Sequence, residues 1–214
     1  MNVGIEIIVV LATYLIGSIP VGYLLVRYLT GQNILKLGSG NIGSTNVKRI
    51  AGRKIAAITQ LSDMAKGLLP VSLYLYLTYD SNLTYYQNTV SNLSIYYVAL
   101  ASILGHDFSV FLKFKGGKGV NTTLGASVLL APLPVFISVA FYFIVKWRFK
   151  YVSLGSIVLA ITMVVSEFSI YGVTPTFYYL LACMALILVL HYKNIGRLLR
   201  NQELLPREGQ ILLE

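Results

Sequence analysis

The sequence predicts an all-α fold: a polytopic membrane helix bundle of seven transmembrane helices, with the N-terminus outside and the C-terminus cytoplasmic. Three observations support this prediction. The 214 residues are 56% hydrophobic and only 12% charged, with a mean hydropathy of +0.71, whereas soluble domains carry about 25% charged residues. The apolar residues form runs long enough to cross a bilayer, which takes about 20 residues. Lysines and arginines fall in the short loops between those runs, as is typical of cytoplasmic loops.

The predicted spans follow one another from the N-terminus. Ile5 to Leu29 is the first, and Gly17, Ser18, Pro20 and Gly22 interrupt it, which predicts close helix packing or a kink. The remaining spans are Ile55 to Tyr79, Leu93 to Leu112, a hairpin over 121–146 that turns at Pro132 and Pro134 and has a short first arm over 119–131, Tyr151 to Ile170, and Thr176 to Leu190.

The loops between the spans determine the predicted orientation. Basic residues cluster in the loop over 30–54 and in the loop over 113–118, whereas the stretch 80–92 contains no Lys or Arg. Positive loops lie in the cytoplasm. No sizeable polar segment remains for a soluble unit, so residues 1–214 are predicted to form one domain. It ends in a basic tail from about residue 200 that includes Arg207.

The charge balance limits the classes of partner. Seventeen lysines and arginines against eight acidic residues give a formal net charge of +9. Because this charge, apart from Lys66, lies in or near short loops, we expect no nucleic acid partner. Anionic lipid head groups and small anionic substrates suit such loops better. The single cysteine, Cys183, lies in an apolar run, so we predict neither a disulfide framework nor a metal site, and no cofactor.

The stretch from Gly38 to Arg49 concentrates residue types that bind phosphate. Its glycines satisfy the G-x-G-x-x-G spacing of dinucleotide-binding folds, but no strand precedes them, so that fold is excluded. Glycines let backbone N–H groups converge on an anion, and Arg49 can add a bidentate charged contact. The side chains that can add hydrogen bonds are Ser39, Asn41, Ser44, Thr45 and Asn46. The alternative is a polar loop that is solvated at the membrane surface.

A second glycine-rich segment, Lys115-Gly116-Gly117-Lys118-Gly119, lies on the same predicted side of the membrane. It lacks the spacer and the Ser or Thr of a P-loop. Alone, it is equally compatible with a basic turn that fixes the topology. One phosphate needs one cradle, so two anion-suited loops on one side favour a pair of substrates that each carry a phosphate.

Several polar residues lie inside the predicted spans or at their ends. Asp63 and Lys66 are three apart and share a helical face. An intramembrane ion pair suggests function, although mutual neutralisation that orders the bundle is the simpler interpretation. His106 lies near the inner end of the third span, and His191 and Asn194 occupy positions i and i+3 at the inner end of the last. Each histidine alone is compatible with a structural role, but their common level with the two loops favours a shared site.

Three blocks of the chain together resemble the bacterial acyl-phosphate–glycerol-3-phosphate acyltransferases. The blocks are Gly38-Ser39-Gly40-Asn41 with Thr45, Asn46 and Arg49, then Gly105-His106 with Gly116-Gly117-Lys118-Gly119, then His191 with Asn194, Arg197 and Leu198. Gly17-Ser18-Ile19-Pro20 and Asp63-x-x-Lys66-Gly67 also fit, so the resemblance covers most of the chain. Ser109 departs from the pattern, because the family usually has proline there, and this affects only the local turn.

The resemblance implies a seven-span enzyme that transfers an acyl group from acyl phosphate to the 1-hydroxyl of sn-glycerol 3-phosphate. The products are lysophosphatidate and phosphate, formed at the cytoplasmic face of the inner membrane as the first acylation of phospholipid synthesis. The implied catalytic residues are Ser39, Arg49, Lys118, His191 and Asn194. The implied substrate contacts are Gly38, Gly40, Asn41, Thr45, Asn46, Gly116, Gly117 and Gly119, with Asp63, Lys66 and His106 as candidate supporting residues. The soluble enzyme that makes acyl phosphate is a candidate partner.

The residues agree with this chemistry. An acyl phosphate is already activated, so its leaving phosphate needs neutralising more than protonating, which suits Lys118 and glycine N–H groups. Ser39 and Arg49 would hold the glycerol phosphate with its 1-hydroxyl near the acyl carbonyl. No protein base is evident, and the proton acceptor is either a substrate phosphate oxygen or His191.

Two other classes of function remain as alternatives. A membrane transporter for an organic phosphate would place its site near the bilayer midplane, usually between repeats, whereas these motifs crowd one surface. A membrane scaffold without catalytic activity would not need two glycine–lysine loops.

Overall fold

The structure, a computed structural model, describes residues 3–90 and 92–204 and is all-helical over these ranges, as predicted. Short 3-10 turns occupy Ile34–Lys36 and Val110–Leu112. The α-helices are α1 (Val3–Ser18), α2 (Val21–Thr30), α3 (Ser44–Thr78), α4 (Tyr85–Val90), α5 (Ser94–Asp107), α6 (Val120–Ser127), α7 (Pro132–Phe149), α8 (Val152–Tyr171), α9 (Pro175–Leu190) and α10 (Tyr192–Leu199). The end of the predicted basic tail, with Arg207, lies outside the described residues.

Four helical stretches within the described ranges are long and apolar enough to cross a bilayer. They are Val3–Thr30, Ser94–Leu112, Pro132–Phe149 and Val152–Tyr171, and the pair α9–α10 makes a fifth if it is one bent span. Helix α3 is more polar because it carries Asp63 and Lys66, and α6 has only 8 residues. The short fourth segment that the sequence predicted is therefore shorter still.

The first span is broken at the predicted point. Helix α1 ends at Ser18 and α2 begins at Val21, after Pro20. A Cβ atom added to Gly17 would overlap the carbonyl oxygen of Ser102 in α5, so the glycine allows close contact between the two helices. The predicted kink and the predicted close packing are both confirmed.

Ser109 has a specific partner at this break. Its hydroxyl donates a hydrogen bond of 2.6 Å to the carbonyl oxygen of Ser18, and the side chain is fully buried. The break leaves that carbonyl without its helical partner, and buried backbone groups need one. A proline at position 109 would have no hydroxyl to offer, so the departure from the family pattern supplies a hydrogen bond.

Gly105→Ala tests the α1–α5 contact. A Cβ atom at Gly105 would overlap the backbone oxygen of Tyr14, and overpacking of this kind costs about 1–3 kcal/mol. We expect a lower thermal midpoint in detergent. The matched control is Gly196→Ala, where the nearest atom is the flexible end of Arg200, and this variant should unfold at the wild-type temperature or higher. Equal midpoints for the two variants would contradict the tight crossing.

Helices α3 and α6 also pack through glycines, and this contact sets the position of the second glycine-rich segment. A Cβ atom on Gly67 would overlap the backbone of Thr122, and one on Gly125 would overlap the backbone oxygen of Met64. The close approach brings the start of α6 against the middle of α3. Lys118 and Gly119, the last residues before α6, line the same cavity as Asp63 in α3.

The cytoplasmic loop predicted over 30–54 is shorter than expected. Helix α3 begins at Ser44, and it bends at Gly52, whose φ of 81° and ψ of −179° are not helical. The basic segment before Gly52 is thus a helical arm at an angle to the rest of α3. Lysine and arginine are good helix formers, so a basic composition did not exclude a helix here.

Candidate active site

A cavity of about 360 Å³ opens where α7 ends, α8 begins and α9 ends. Most of the predicted site residues line it: Ser39, Asn41, Thr45, Asn46, Arg49, Asp63, His106, Lys118, Gly119, His191 and Asn194. The other predicted residues, Gly38, Gly40, Gly116, Gly117 and Lys66, are not among its lining residues. The fold thus brings the two glycine-rich segments and the end of the last span to a single cavity.

Asn46 organises the first glycine-rich segment from inside. Its Oδ1 accepts a hydrogen bond of 3.0 Å from the backbone N–H of Ser39, and its Nδ2 donates to the carbonyls of Leu37 and Asn41 at 3.0 and 2.9 Å. Gly38 has a φ of 57°, and a Cβ there would overlap Asn46 Oδ1. The Asn46 amide therefore shapes the cradle, and Ser39 is left to face the cavity.

Two side-chain contacts join the glycine-rich segments. Asn41 accepts a hydrogen bond of 2.8 Å from the N–H of Gly43 and donates one of 3.4 Å to the carbonyl of Gly116. Asn121, in the first turn of α6, donates to the hydroxyl of Ser44 at 3.3 Å. The two segments are therefore held in direct contact with each other.

Arg49 keeps free donor capacity at the cavity. One terminal nitrogen donates a hydrogen bond of 3.2 Å to the carbonyl of Leu204. Its Nε is buried and has no hydrogen-bond partner among the described residues. A buried N–H without a partner is costly, so this guanidinium is suited to bind an anion that enters the cavity.

Lys118 reaches the C-terminal part of the site. Its Nζ donates a hydrogen bond to Oδ1 of Asn194. Burial lowers the pKa of Lys118 to about 8; Glu203 opposes this shift, and the positive charges of Arg197 and Arg49 add to it. A lysine with so low a pKa remains cationic at neutral pH but holds its proton less firmly than an exposed lysine.

Glu203 is a site residue that the sequence interpretation missed. Its Oε1 accepts hydrogen bonds from Asn194 Nδ2 at 2.6 Å and from Ser153 Oγ at 2.9 Å, and its Oε2 pairs with Arg197 Nε at 2.9 Å. Burial alone would raise the pKa of Glu203, but the bonds from Arg197, Asn194 and Ser153 hold it below its usual value. The sequence carried no signal for it: the stretch from residue 200, predicted to be a basic tail, holds two arginines and three glutamates, and nothing distinguishes Glu203 from the other two.

Glu203→Gln tests this contact. The variant keeps the shape but leaves Arg197 without its ion pair and sets an amide against Asn194, so we expect a loss of about 1–3 kcal/mol in unfolding free energy. Differential scanning fluorimetry in detergent measures it. Glu6→Gln, which touches one serine hydroxyl at 3.0 Å, is the matched control and should shift stability by less than about 0.5 kcal/mol. Equal shifts would contradict the proposed contact.

His191 does not lie on a straight helix with Asn194. The sequence interpretation placed both on one helical face, but the chain bends by 60° at His191, between α9 and α10. The imidazole Nδ1 lies 2.8 Å from the carbonyl of Ile187. A carbonyl only accepts, so Nδ1 carries the proton and Nε2 is left as an acceptor. Both residues line the cavity, but they lie one turn apart at the start of α10 and not on the last span.

Further basic and apolar residues widen the cavity beyond the predicted set. Lys48 and Arg53 come from the start of α3 and Lys146 from the end of α7. The Lys146 ammonium lies 5.3 Å from the ring centre of Tyr142, which also lines the cavity. The lining thus combines strong positive charge with apolar surface from α3 and α8, a combination that accepts an anionic head group attached to an alkyl chain.

The fold and the cavity together define a class. The chain is an integral membrane helical bundle with a cavity that is rich in basic residues and is lined in part by two glycine-rich segments. Residues 7–201 match the glycerol-3-phosphate acyltransferase family. The chain belongs to this family.

Individual relatives agree. A glycerol-3-phosphate acyltransferase of Clostridium acetobutylicum is 44% identical over 93% of this chain and 98% of its own length, and one of Syntrophotalea carbinolica is 39% identical over 92% and 95%. The crystal structure of PlsY, an integral membrane glycerol 3-phosphate acyltransferase, in its glycerol 3-phosphate form superposes with a TM-score of 0.84 at 32% identity, covering 94% of this chain and 96% of that one. Its lysophosphatidic acid form gives 0.82 at 30% identity, covering 94% and 95%.

Proposed function

We propose that the protein transfers an acyl group from acyl phosphate to the 1-hydroxyl of sn-glycerol 3-phosphate. The observation that carries the proposal is the meeting of two glycine-rich segments at one cavity, each with its own cation, Arg49 or Lys118. A reaction between two phosphate-bearing substrates needs two anion sites side by side. The membership in the family supports the acceptor, and the second site supports a donor with a phosphate of its own.

The reaction then needs one bond made and one broken. The 1-hydroxyl oxygen of glycerol 3-phosphate attacks the acyl carbonyl carbon, and the bond between that carbon and the phosphate oxygen breaks. Ser39 and Arg49 hold the acceptor phosphate, while Lys118 and the N–H group of Gly119 stabilise the negative charge that develops on the leaving phosphate. Gly116 and Gly117 do not line the cavity and shape the segment instead, because the Gly117 N–H donates to the His106 carbonyl. The products are lysophosphatidate and inorganic phosphate.

The hydroxyl proton has two acceptors within this scheme. A phosphate oxygen of the donor can take it as the phosphate leaves. The other acceptor is Nε2 of His191, because Nδ1 is committed to the Ile187 carbonyl. Asn194 links Lys118 to Glu203 and thereby orients the cation. The remaining predicted contacts, Gly38, Gly40, Asn41, Thr45 and Asn46, form the acceptor cradle.

The pKa of Lys118 predicts the alkaline limb of the pH profile. The ammonium form, which the leaving phosphate needs, predominates below about pH 8 in the free enzyme. We expect kcat/KM to fall as the pH rises through 8, since kcat/KM reports the free enzyme. In Lys118→Arg the limb should move up by more than about one pH unit, because arginine stays protonated. An unchanged limb would show that another group titrates there.

The proposed topology has seven spans, with the N-terminus outside and the C-terminus in the cytoplasm, in the inner membrane. The basic residues around the cavity support a cytoplasmic site. The whole chain forms a single domain that ends in a charged tail, and the soluble enzyme that makes acyl phosphate is the candidate partner at this face. Cysteine labelling from either side of sealed vesicles, after placing a cysteine at Asn82 or at Lys115, tests the orientation.

A comparison of donors tests the proposed reaction. The purified protein is given glycerol 3-phosphate with acyl phosphate, acyl-CoA or acyl carrier protein, and lysophosphatidate is measured. Of the three donors, we expect only acyl phosphate to give lysophosphatidate. Equal rates with acyl-CoA would remove the reason for a second phosphate cradle. The transporter alternative predicts no product from any donor.

A further inference from the structure

We propose that Asp63, Lys66 and His106 form a positioning cluster that holds the glycine–lysine loop, residues 115–119, in its phosphate-binding shape. The inference rests on the proposed function and deepens it, because it assigns the affinity for one substrate to side chains that need not touch that substrate. The three side chains come from two helices, α3 and α5, and only 2%, 6% and 4% of them is exposed.

Lys66 ties the cluster together. Its Nζ donates a hydrogen bond of 2.7 Å to the carbonyl of Ile19, in the break between α1 and α2. The same nitrogen lies 3.0 Å from Asp63 Oδ1 and 3.4 Å from His106 Nδ1. The Asp63 carboxylate and the Ile19 carbonyl thus pair this buried ammonium, and His106 Nδ1 also lies 3.5 Å from Asp63 Oδ1. His106 is thereby fixed relative to two other parts of the bundle.

His106 transmits this position to the loop through two contacts. Its carbonyl accepts a hydrogen bond of 3.0 Å from the N–H of Gly117. A Cβ atom on Gly117 would overlap the imidazole Nε2, so the ring packs directly on the loop backbone. A Cβ on Gly116 would overlap the His106 carbonyl oxygen in the same way. Lys118 is the next residue, and its direction depends on this support.

The cluster is poorly suited to bind phosphate itself. The positive charge of Lys66 is neutralised by Asp63 and does not reach the cavity lining. Asp63 and His106 do line the cavity, but a carboxylate there repels an anion. The cluster is also not needed to bring α3 and α6 together, since those helices already touch through Gly67 and Gly125. Burial of charged side chains costs free energy of desolvation. Positioning of the loop is the role that remains for these three buried side chains.

His106→Phe tests the proposal, because phenylalanine keeps a ring of similar size and removes both nitrogens. We expect KM for the substrate whose phosphate the loop holds to rise by at least about tenfold, while KM for the other substrate changes by less than about twofold. The matched control is Tyr179→Phe, which removes a buried hydrogen bond of 3.0 Å to Ser127. It should lower the thermal midpoint and leave both KM values alone. Unchanged or equally raised KM values in His106→Phe would overturn the positioning role.

The two proposals fail in different ways. A selective rise in KM for acyl phosphate supports the cluster and the donor assignment of the loop. A selective rise in KM for glycerol 3-phosphate also supports the cluster but overturns that assignment. Wild-type protein that makes no lysophosphatidate overturns the proposed function. The cluster is then tested separately by calorimetry of inorganic phosphate binding to wild-type and His106→Phe protein. Equal affinities in the two proteins would overturn the positioning role, and a weaker affinity in His106→Phe would support it.

A second pair of variants covers a failure of His106→Phe to fold. Gly117→Ala forces the imidazole away from the loop, and His106→Ala in the same chain makes room for the added methyl group. The double variant should regain the stability that Gly117→Ala loses and retain the selective KM defect of His106→Ala. A return of both KM values to wild type in the double variant would show that the ring only fills space, which overturns the proposal.

Discussion

Lys118→Ala should reduce turnover with acyl phosphate by about a hundredfold to a thousandfold, the usual effect of removing one preorganised charge-stabilising donor. The leaving phosphate carries the charge that develops in this reaction, and Lys118 is the cation of the loop beside it. The side chain is partly buried, so water cannot fully replace it. Steady-state assays that follow phosphate release measure the effect.

Lys115→Ala is the matched control for this loss. Lys115 lies in the same loop but is exposed and does not line the cavity. Its removal changes the net charge equally, and we expect kcat within about threefold of wild type. If Lys115→Ala and Lys118→Ala lost the same activity, a general electrostatic effect would replace the specific role of Lys118. Full turnover in Lys118→Ala would contradict charge neutralisation outright.

Arg49→Ala should raise KM for glycerol 3-phosphate by about tenfold to a hundredfold, because a hydrogen bond to a charged group contributes about 1.5–3 kcal/mol. The buried Nε of Arg49 has no partner among residues 3–90 and 92–204, and a phosphate oxygen would supply one. Arg49→Lys should recover only part of the affinity, since an ammonium cannot form the planar bidentate contact. Initial rates at varied glycerol 3-phosphate measure KM.

Arg200→Ala controls for the loss of one arginine near the site. Arg200 is exposed, lies outside the cavity lining and donates to the Gly196 carbonyl at 3.0 Å. We expect its KM for glycerol 3-phosphate to match wild type. If Arg49→Ala had a normal KM and a reduced kcat, Arg49 would instead stabilise the transition state and not the bound acceptor. The assignment of the acceptor phosphate to the first glycine-rich segment would then be wrong.

Features that depend on neighbouring residues were predictable from the sequence. The break at Pro20, the Asp63–Lys66 ion pair and the helical fold all follow from local chemistry. In each case a proline beside small residues, an i, i+3 pair or an apolar run acts on its immediate neighbours. The effect of proline still depends on context, since Pro70 lies inside α3 without breaking it. The two glycine-rich segments were recognisable from their composition, and the structure brings them together at one cavity; their binding of phosphate stays a prediction.

Features that depend on the path of the chain were not predictable. Glu203 reaches Ser153 and Arg197 only because α10 turns by 60° and the following residues fold back over the cavity. Nothing local marks Glu203 as different from any other acidic residue in a tail. Likewise, Lys146 joins Lys48 at the cavity because α7 ends beside the start of α3, and no spacing in the sequence encodes that neighbour.

The part of α3 before Gly52 was predicted to belong to a loop, but it is helical. The prediction took residues suited to phosphate binding as a sign of a loop. Helix formation and anion binding are compatible, however, since the first turn of a helix offers free N–H groups and a favourable dipole. Thr45 and Asn46 lie in that first turn and line the cavity.

The most direct test of the proposed reaction is product stoichiometry in a closed system. Purified protein is reconstituted into sealed vesicles with acyl phosphate and given labelled glycerol 3-phosphate, and lysophosphatidate, free phosphate and trapped label are measured together. We predict lysophosphatidate and phosphate in equal amounts, with the label in the lipid. Label that accumulates inside the vesicles as unmodified glycerol 3-phosphate, with no lysophosphatidate, would contradict the account and indicate transport.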